Sequence, residues 1–458
     1  MKTQKKHVND FGNDSVPGLV LRVSVPFMFA QFVNVMYSIV DRIYIGNIPA
    51  AGADSLAGAG VCAPIITLLS SFATLIGIGG SILFSMRLGQ NDKKDAEKIL
   101  GSGACLLVIF TIVLMAVFYL FQKPFLYMFG ASDATIGYSL DYMSIYLLGT
   151  LFVELALGLN PFIISQGRSR IAMISIVIGA VVNIALDPLF IFVFGWGVKG
   201  AAIATVLSQA VSAAWNVNFL MGKKSSLRLS FCNIRPDFRI MGQICSLGIS
   251  PFIMRATESL ISIVLNRGLQ MYGGDLYVGS LTIMQSVLQL FSAPLTGFTQ
   301  GVQPIISYNY GAGKFDRVKK LYRSMIAVSF TISFVANMTA MCFPALYASL
   351  FTNDEELIGL VSRVMPIFLF GMLFFGLQNG IQPTFLALGQ AKISLFIAMF
   401  RKVILLVPLA LVLPRFFGVM GIYYAEPVSD IISAATACIL FALNIKKILS
   451  KEYLARIH

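Results

Sequence analysis

The sequence predicts an all-α polytopic membrane protein of about twelve transmembrane helices in two parallel six-helix repeats. Three observations predict it. Hydrophobic residues make up 57% of the chain and charged residues only 12%, with a mean hydropathy of +0.81; a soluble domain carries about twice that charge fraction. Apolar runs of roughly 20 residues or more, enough to cross a bilayer as helices, recur from end to end. The second half also repeats the first.

In the first half the apolar runs lie near 19–45, 56–86, 99–121, 138–165, 171–194 and 200–221. In the second they lie near 242–266, 277–305, 322–346, 357–386, 393–413 and 420–444. A shift of 222 places Ile136-Gly137 on Ile358-Gly359, Met143 on Met365, Gly149 on Gly371 and Leu151-Phe152 on Leu373-Phe374. The same shift places Gly158 on Gly380, Pro161 on Pro383 and Gly167 on Gly389, and earlier Ser85 and Gly89 on Ser307 and Gly311. After a one-residue slip, Gly197-Val198-Lys199-Gly200 meets Gly418-Val419-Met420-Gly421. Six spans per repeat is an even number, so both repeats enter the membrane from one side. Repeats of that kind are the usual architecture of secondary transporters, with the substrate path at the repeat interface. The expected division is an N-lobe over 1–221, a linker over 222–239 and a C-lobe over 240–458.

The net charge of +13 is explained by topology. One side of the predicted weave carries Lys2, Lys5 and Lys6, then Arg87, Lys93, Lys94 and Lys98, then Arg168 and Arg170. It continues with Lys223, Lys224, Arg228, Arg235 and Arg239, with Lys314 to Arg323, with Lys392, and with Lys446, Lys447, Lys451 and Arg456. The opposite loops offer only Arg42, Lys123, Lys199, Arg267, Arg363 and Arg415. The positive-inside rule makes both termini and the linker cytoplasmic. No short cleavable apolar segment precedes the first helix, so the N terminus is expected to be retained. Basic residues interleaved with aromatics on a soluble surface are not found, so no nucleic-acid partner is expected.

Several chemistries are excluded. The two histidines, His7 and His458, stand at the ends, which removes His-based nucleophile pairs, His-ligated metals and His proton relays. Cys62, Cys105, Cys232, Cys245, Cys342 and Cys438 form no CxxC and read as apolar fillers. No Walker A sequence occurs. No enzyme and no cofactor are expected, and work must come from an ion gradient or a partner.

Ionisable residues inside the helices are costly and point to function. Tyr37 and Asp41 share a face of helix 1, and Asn183 and Asp187, followed by Pro188, share one of helix 5. At 1.5 Å per residue, Asp187 sits ~24 Å along helix 5 and Thr205 about 10 Å down helix 6, both in the outer part of the lobe. Asp41 falls near the outer end of helix 1. Such an oxygen-rich cluster could bind Na+ or share protons between the paired acids. The alternative pairs Asp41 with Arg42 and makes Asp187-Pro188 a helix end.

In the second half, Glu258 in helix 7 either pairs with Arg255 or meets substrate. Glu426 and Asp430, four apart on helix 12, form a second cation site or a bridge to Arg401 or Arg255. Glu154 in helix 4 has no evident partner. Pro26 and Pro251 sit early in helices 1 and 7, where a missing donor permits bending. The plentiful Met and Phe would mostly face lipid or pack cores, with a minority suited to adaptable binding in a cleft.

The stretch Tyr37-Ser-Ile-Val-Asp41-Arg-Ile-Tyr-Ile-Gly46 after Pro26 resembles the first helix of the MATE (multidrug and toxic compound extrusion) transporters. So do Asn183-Ile-Ala-Leu-Asp187-Pro-Leu-Phe-Ile-Phe and Gly197-Val-Lys-Gly-Ala-Ala-Ile-Ala-Thr205. Gln300-Gly-Val-Gln-Pro304-Ile-Ile-Ser-Tyr-Asn309-Tyr-Gly-Ala and Ala425-Glu-Pro-Val-Ser-Asp430 are similar to its bacterial members. The resemblance implies a V-shaped antiporter in the bacterial cytoplasmic membrane, working as a monomer. It would exchange Na+ or H+ for amphipathic, often cationic, small molecules. It also implies an N-lobe cation site on Asp41, Asn183, Asp187 and Thr205, with Tyr37 and Asn160 as polar neighbours. Family members with C-lobe acids carry them on helices 7 and 10, and the helix 10 segment here, Leu357–Leu386, has none. The alternative cargo is a native metabolite or lipid-linked saccharide, which would call for a cleft rich in Arg and Lys.

Overall fold

The computed structural model describes residues 9–49, 52–230 and 233–450. His7, His458, Cys232, Lys2, Lys5, Lys6, Lys451 and Arg456 lie outside the described residues. The first unit, ending at Phe252, contains α1 (Val16–Gly46), α2 (Gly52–Gly89) and α3 (Lys93–Leu120). It continues with α4 (Ile136–Leu148 and Thr150–Ser165), α5 (Ser169–Pro188 and a π turn, Leu189–Val193) and α6 (Gly197–Met221). Next come α7 (Phe238–Gly273), α8 (Asp275–Gly311), α9 (Phe315–Cys342) and α10 (Glu355–Leu369 and Met372–Ala387). The chain ends with α11 (Ala391–Met399, a π segment Phe400–Leu406, and Val407–Val412) and α12 (Met420–Ile448).

Among the described residues, nine of these are single helices long and apolar enough to cross a membrane. Two more spans, α4 and α10, are pairs of helices bent by 57° and 43°. The twelfth, α6, is more polar: Lys199, Thr205, Ser208, Gln209, Ser212 and Asn216 lie along it, and it packs on α5 and the second half of α4.

The duplication is visible in backbone geometry. The bends fall at the repeat mates Gly149 and Gly371. A Cβ on Gly149 would run into Val206 of α6, and one on Gly371 into Pro427 of α12. Those neighbours are themselves mates after the slip, so each bend presses against the last helix of its unit where only glycine fits. Gly167 and Gly389 both hold φ +75°, and Gly197 and Gly418 hold +53° and +59°. Asn91, at φ +66°, stands where the second repeat has Gly313 at +68°.

The units divide later than 222–239. The connecting segment is tied to the first unit: Gln166 Oε1 accepts from Ser225 Oγ at 2.8 Å and from the Ser226 amide at 2.9 Å. The start of α7 is tied there too, because Gly79 of α2 and Gly248 of α7 let the two backbones touch. The boundary between Phe252 and Ile253 therefore lies inside α7. Each unit closes around its own apolar core, one including Ile65, Leu69, Tyr142 and Tyr146, the other Leu281, Val364, Phe368 and Tyr423.

Candidate functional site

In the first unit, α1 contributes Tyr37 and Asp41, α5 contributes Asn183 and Asp187, and α6 contributes Thr205. The four-residue spacings put each pair on one helix face. Pro188, which has no amide hydrogen, follows Asp187 directly, and the helix widens there into its π turn; such turns mark functional sites in many proteins. Asn183 and Asp187 are fully buried. Asn183 Nδ2 donates to Asp187 Oδ1 at 3.3 Å and lies 3.5 Å from Thr205 Oγ1. The carboxyl groups of Asp41 and Asp187 come within hydrogen-bonding reach of each other.

Asp41 Oδ1, Asn183 Oδ1 and Asp187 Oδ2 are buried with no donor facing them. They are oxygen ligands left over for a hard cation or a proton. No ion pair joins Asp41 to Arg42, whose side chain is exposed. Asn160 lies apart, donating to the Ala172 carbonyl at 3.0 Å.

Two residues of this site escape sequence reasoning. Tyr142 and Tyr146, in the first half of α4, are buried and stacked with ring centroids 6.3 Å apart. The Tyr142 hydroxyl lies on the side of Thr205. Their four-residue spacing was the available signal. Beside Tyr37 a small cavity of about 30 Å³ is lined by Asn34, Ser175, Gly179, Ala180, Ser208, Gln209 and Ser212, among others.

The second unit fills the matching place with charge. Arg401 and Lys402, the repeat mates of Gly179 and Ala180, are both buried. Arg401 Nη2 meets Glu426 Oε1 at 3.0 Å and its Nε meets Asp430 Oδ1 at 2.6 Å. Its guanidinium carbon lies 4.0 Å from the centre of the Phe375 ring. Lys402 Nζ donates to the Met254 carbonyl at 2.7 Å and pairs with Glu258 at 3.4 Å. The Glu258 side chain is 62% exposed, so that pair is weak. Lys402 is a partner for Glu258 that sequence reasoning did not name. Glu426 and Asp430 are thus held by a cation of the chain itself, whereas among the described residues no ion pair reaches Asp41 or Asp187.

A family model described as MatE matches residues 26–189 and 251–412. The multidrug export protein MepA of Staphylococcus saprophyticus is 26% identical over 437 residues, covering 94% of this chain and 95% of that protein. MepA of Staphylococcus aureus (strain MSSA476) is 24% identical, with 93% of each chain covered. An outward-facing multidrug resistance MATE family transporter of the MOP superfamily superposes with a TM-score of 0.89 at 21% identity, over 97% of this chain and 99% of that one.

Proposed function

The chain belongs to the MATE family, and from that premise we propose that it is a cation-coupled antiporter exporting amphipathic, often cationic, small molecules. The two MepA relatives are multidrug export proteins by name. The observation that carries the coupling is the facing pair Asp41–Asp187, with buried oxygens that no donor satisfies. Two like charges at close range in a partly shielded site repel by roughly 4 kcal/mol. Uptake of one H+ or Na+ removes that repulsion, so the pair has a built-in appetite for a single positive charge. Asn183 aligns Asp187, while Thr205 and Tyr142 supply hydroxyls whose dipoles turn to suit the occupied or the vacant site. Exchange follows if entry of the coupling ion and occupancy by a cationic cargo exclude one another.

The membrane would be the bacterial cytoplasmic membrane, with both termini inside and a monomer as the working form. The test is ethidium efflux from cells expressing the chain, with Na+ and pH gradients imposed separately. Efflux driven by one gradient and lost in Asp41→Asn and Asp187→Asn is the expected result, and it names the ion. Efflux that survives both substitutions refutes the site. Absence of efflux in the wild type favours a native metabolite or lipid-linked saccharide as cargo.

A further inference from the structure

The second unit carries a buried amine whose acidic partner stands in the open. Lys402, on the π segment in the middle of α11, is buried. Its Nζ donates to the Met254 main-chain carbonyl at 2.7 Å, and Glu258 Oε1 lies 3.4 Å away. Met254 is itself tied down, since Gln382 Nε2 donates to its sulfur at 2.9 Å. The carbonyl contact is thus the firm one and the carboxylate contact the loose one. The ammonium keeps its place when Glu258 swings away. It has three N–H donors, so that departure leaves a donor to be satisfied by whatever arrives. The neighbouring Arg401 does not compete for Glu258, because Glu426 and Asp430 already occupy its guanidinium.

Glu258 and Arg255 show which side of this place is wet. They lie three residues apart on one face of α7, near its middle, and both side chains are exposed. Charged side chains at that depth of a membrane helix face water rather than lipid. A molecule moving through that water meets Glu258 first and finds Lys402 behind it. An ion pair with an exposed member contributes little to stability, so its carboxylate is readily exchanged for another. A carboxylate attached to an apolar body would also cover the ammonium, and a charge-assisted hydrogen bond strengthens as water is excluded. The first unit has no counterpart, since its residue at the matching position is Ala180.

We propose that Lys402 is an anion-recognition residue of the second unit, taking the carboxylate of an amphipathic cargo in place of Glu258. This deepens the reading of the chain as an exporter of amphipathic molecules and rests on it. Glu258 is the place-holder: it closes off the ammonium while no cargo is present and is released to water when a cargo carboxylate arrives. Once released, it stands on the same face as an acceptor for a cationic group of that cargo. The class favoured is an amphipathic zwitterion over the plain cation of the same shape.

A rhodamine with a free carboxylate and its methyl ester provide the test, because they share one fluorophore and differ in that charge. Binding of each to the purified full chain in detergent is read by fluorescence polarisation. The wild type should bind the acid more tightly than the ester. Lys402→Met should cut the acid-to-ester affinity ratio about tenfold, the loss expected for a hydrogen bond to a charged group. Lys402→Arg should keep most of the ratio. Glu258→Gln, which removes the competing carboxylate, should raise the affinity for the acid severalfold.

An unchanged ratio in Lys402→Met overturns the proposal. If that variant fails to fold, Glu258→Gln decides, and an acid affinity no higher than that of wild type overturns it. Efflux of the two dyes from cells expressing the wild type separates the two readings. Efflux of the ester with no preference for the acid defeats only the role of Lys402, whereas efflux of neither dye defeats the export reading itself.

Discussion

Replacing Arg401 by methionine should be among the most damaging single changes in the second unit, and the structure says by how much. The guanidinium is buried and bonded to two carboxylates, Glu426 at 3.0 Å and Asp430 at 2.6 Å, over the Phe375 ring. Removing one partner of a buried ion pair costs about 3–5 kcal/mol, because the partner charge is left uncompensated. Here two charges are left, and a cation–π contact of about 1 kcal/mol goes with them. At about 2–4 °C per kcal/mol for a cooperative unit of some 200 residues, the melting temperature should fall by roughly 15 °C.

The assay is thermal unfolding of the purified protein in detergent, followed by intrinsic fluorescence. The triple variant Arg401→Met, Glu426→Gln, Asp430→Asn keeps the shape of the cluster without its charge, so it should regain at least half of the loss. A fall smaller than about 2 °C for Arg401→Met would show that the cluster contributes less than a surface pair. A triple variant no better than the single one would show that lost packing, not stranded charge, is responsible.

Gly371→Ala places a methyl against the Pro427 backbone and the Asp430 side chain, so folded yield should drop severalfold. Gly359→Ala, where nothing lies within 4 Å of the new Cβ, should leave size-exclusion profile and yield unchanged. Thr205→Val removes the hydroxyl beside Asn183 and should lower ethidium efflux about tenfold, a loss of the order expected for one or two hydrogen bonds; Thr205→Ser should retain most of it. With the native cysteines replaced by serine (Cys342 is exposed), a cysteine introduced at Lys224 should react with a membrane-impermeant maleimide in inverted vesicles and not in intact cells. Labelling of intact cells would reverse the assigned topology.

The helices and their duplication could be read from residue type and spacing, since apolar length and a constant register are properties of the chain alone. Asp41, Asn183, Asp187 and Thr205 were legible for the same reason: four-residue spacings fix a shared face whatever the neighbours do. Arg401 was legible as a candidate bridge to Glu426 and Asp430; the burial of its neighbour Lys402 beside it was not. Successive residues on an α-helix point about 100° apart, so two adjacent charges should not both face the interior. The π segment Phe400–Leu406 changes that geometry and turns both inward, and no periodicity argument anticipates a local change of period. The position of the unit boundary was hidden as well. It depends on the glycine contact between Gly79 and Gly248, a meeting of residues far apart in sequence.

The exchange of Gly179-Ala180 for Arg401-Lys402 between the two copies has a consequence for how such a machine can change its gearing. Both copies hold paired side-chain oxygens near the matching spot, and in the second copy two basic side chains act as a permanent stopper. A mutation that shortened Arg401 would strip Glu426 and Asp430 of the guanidinium that pairs with both. On the proposed coupling, the number of ions moved per cargo molecule would then rise from one to two in a single evolutionary step. What opposes that step is the stability lost with the stopper, so a more robust fold elsewhere in the unit would be its precondition.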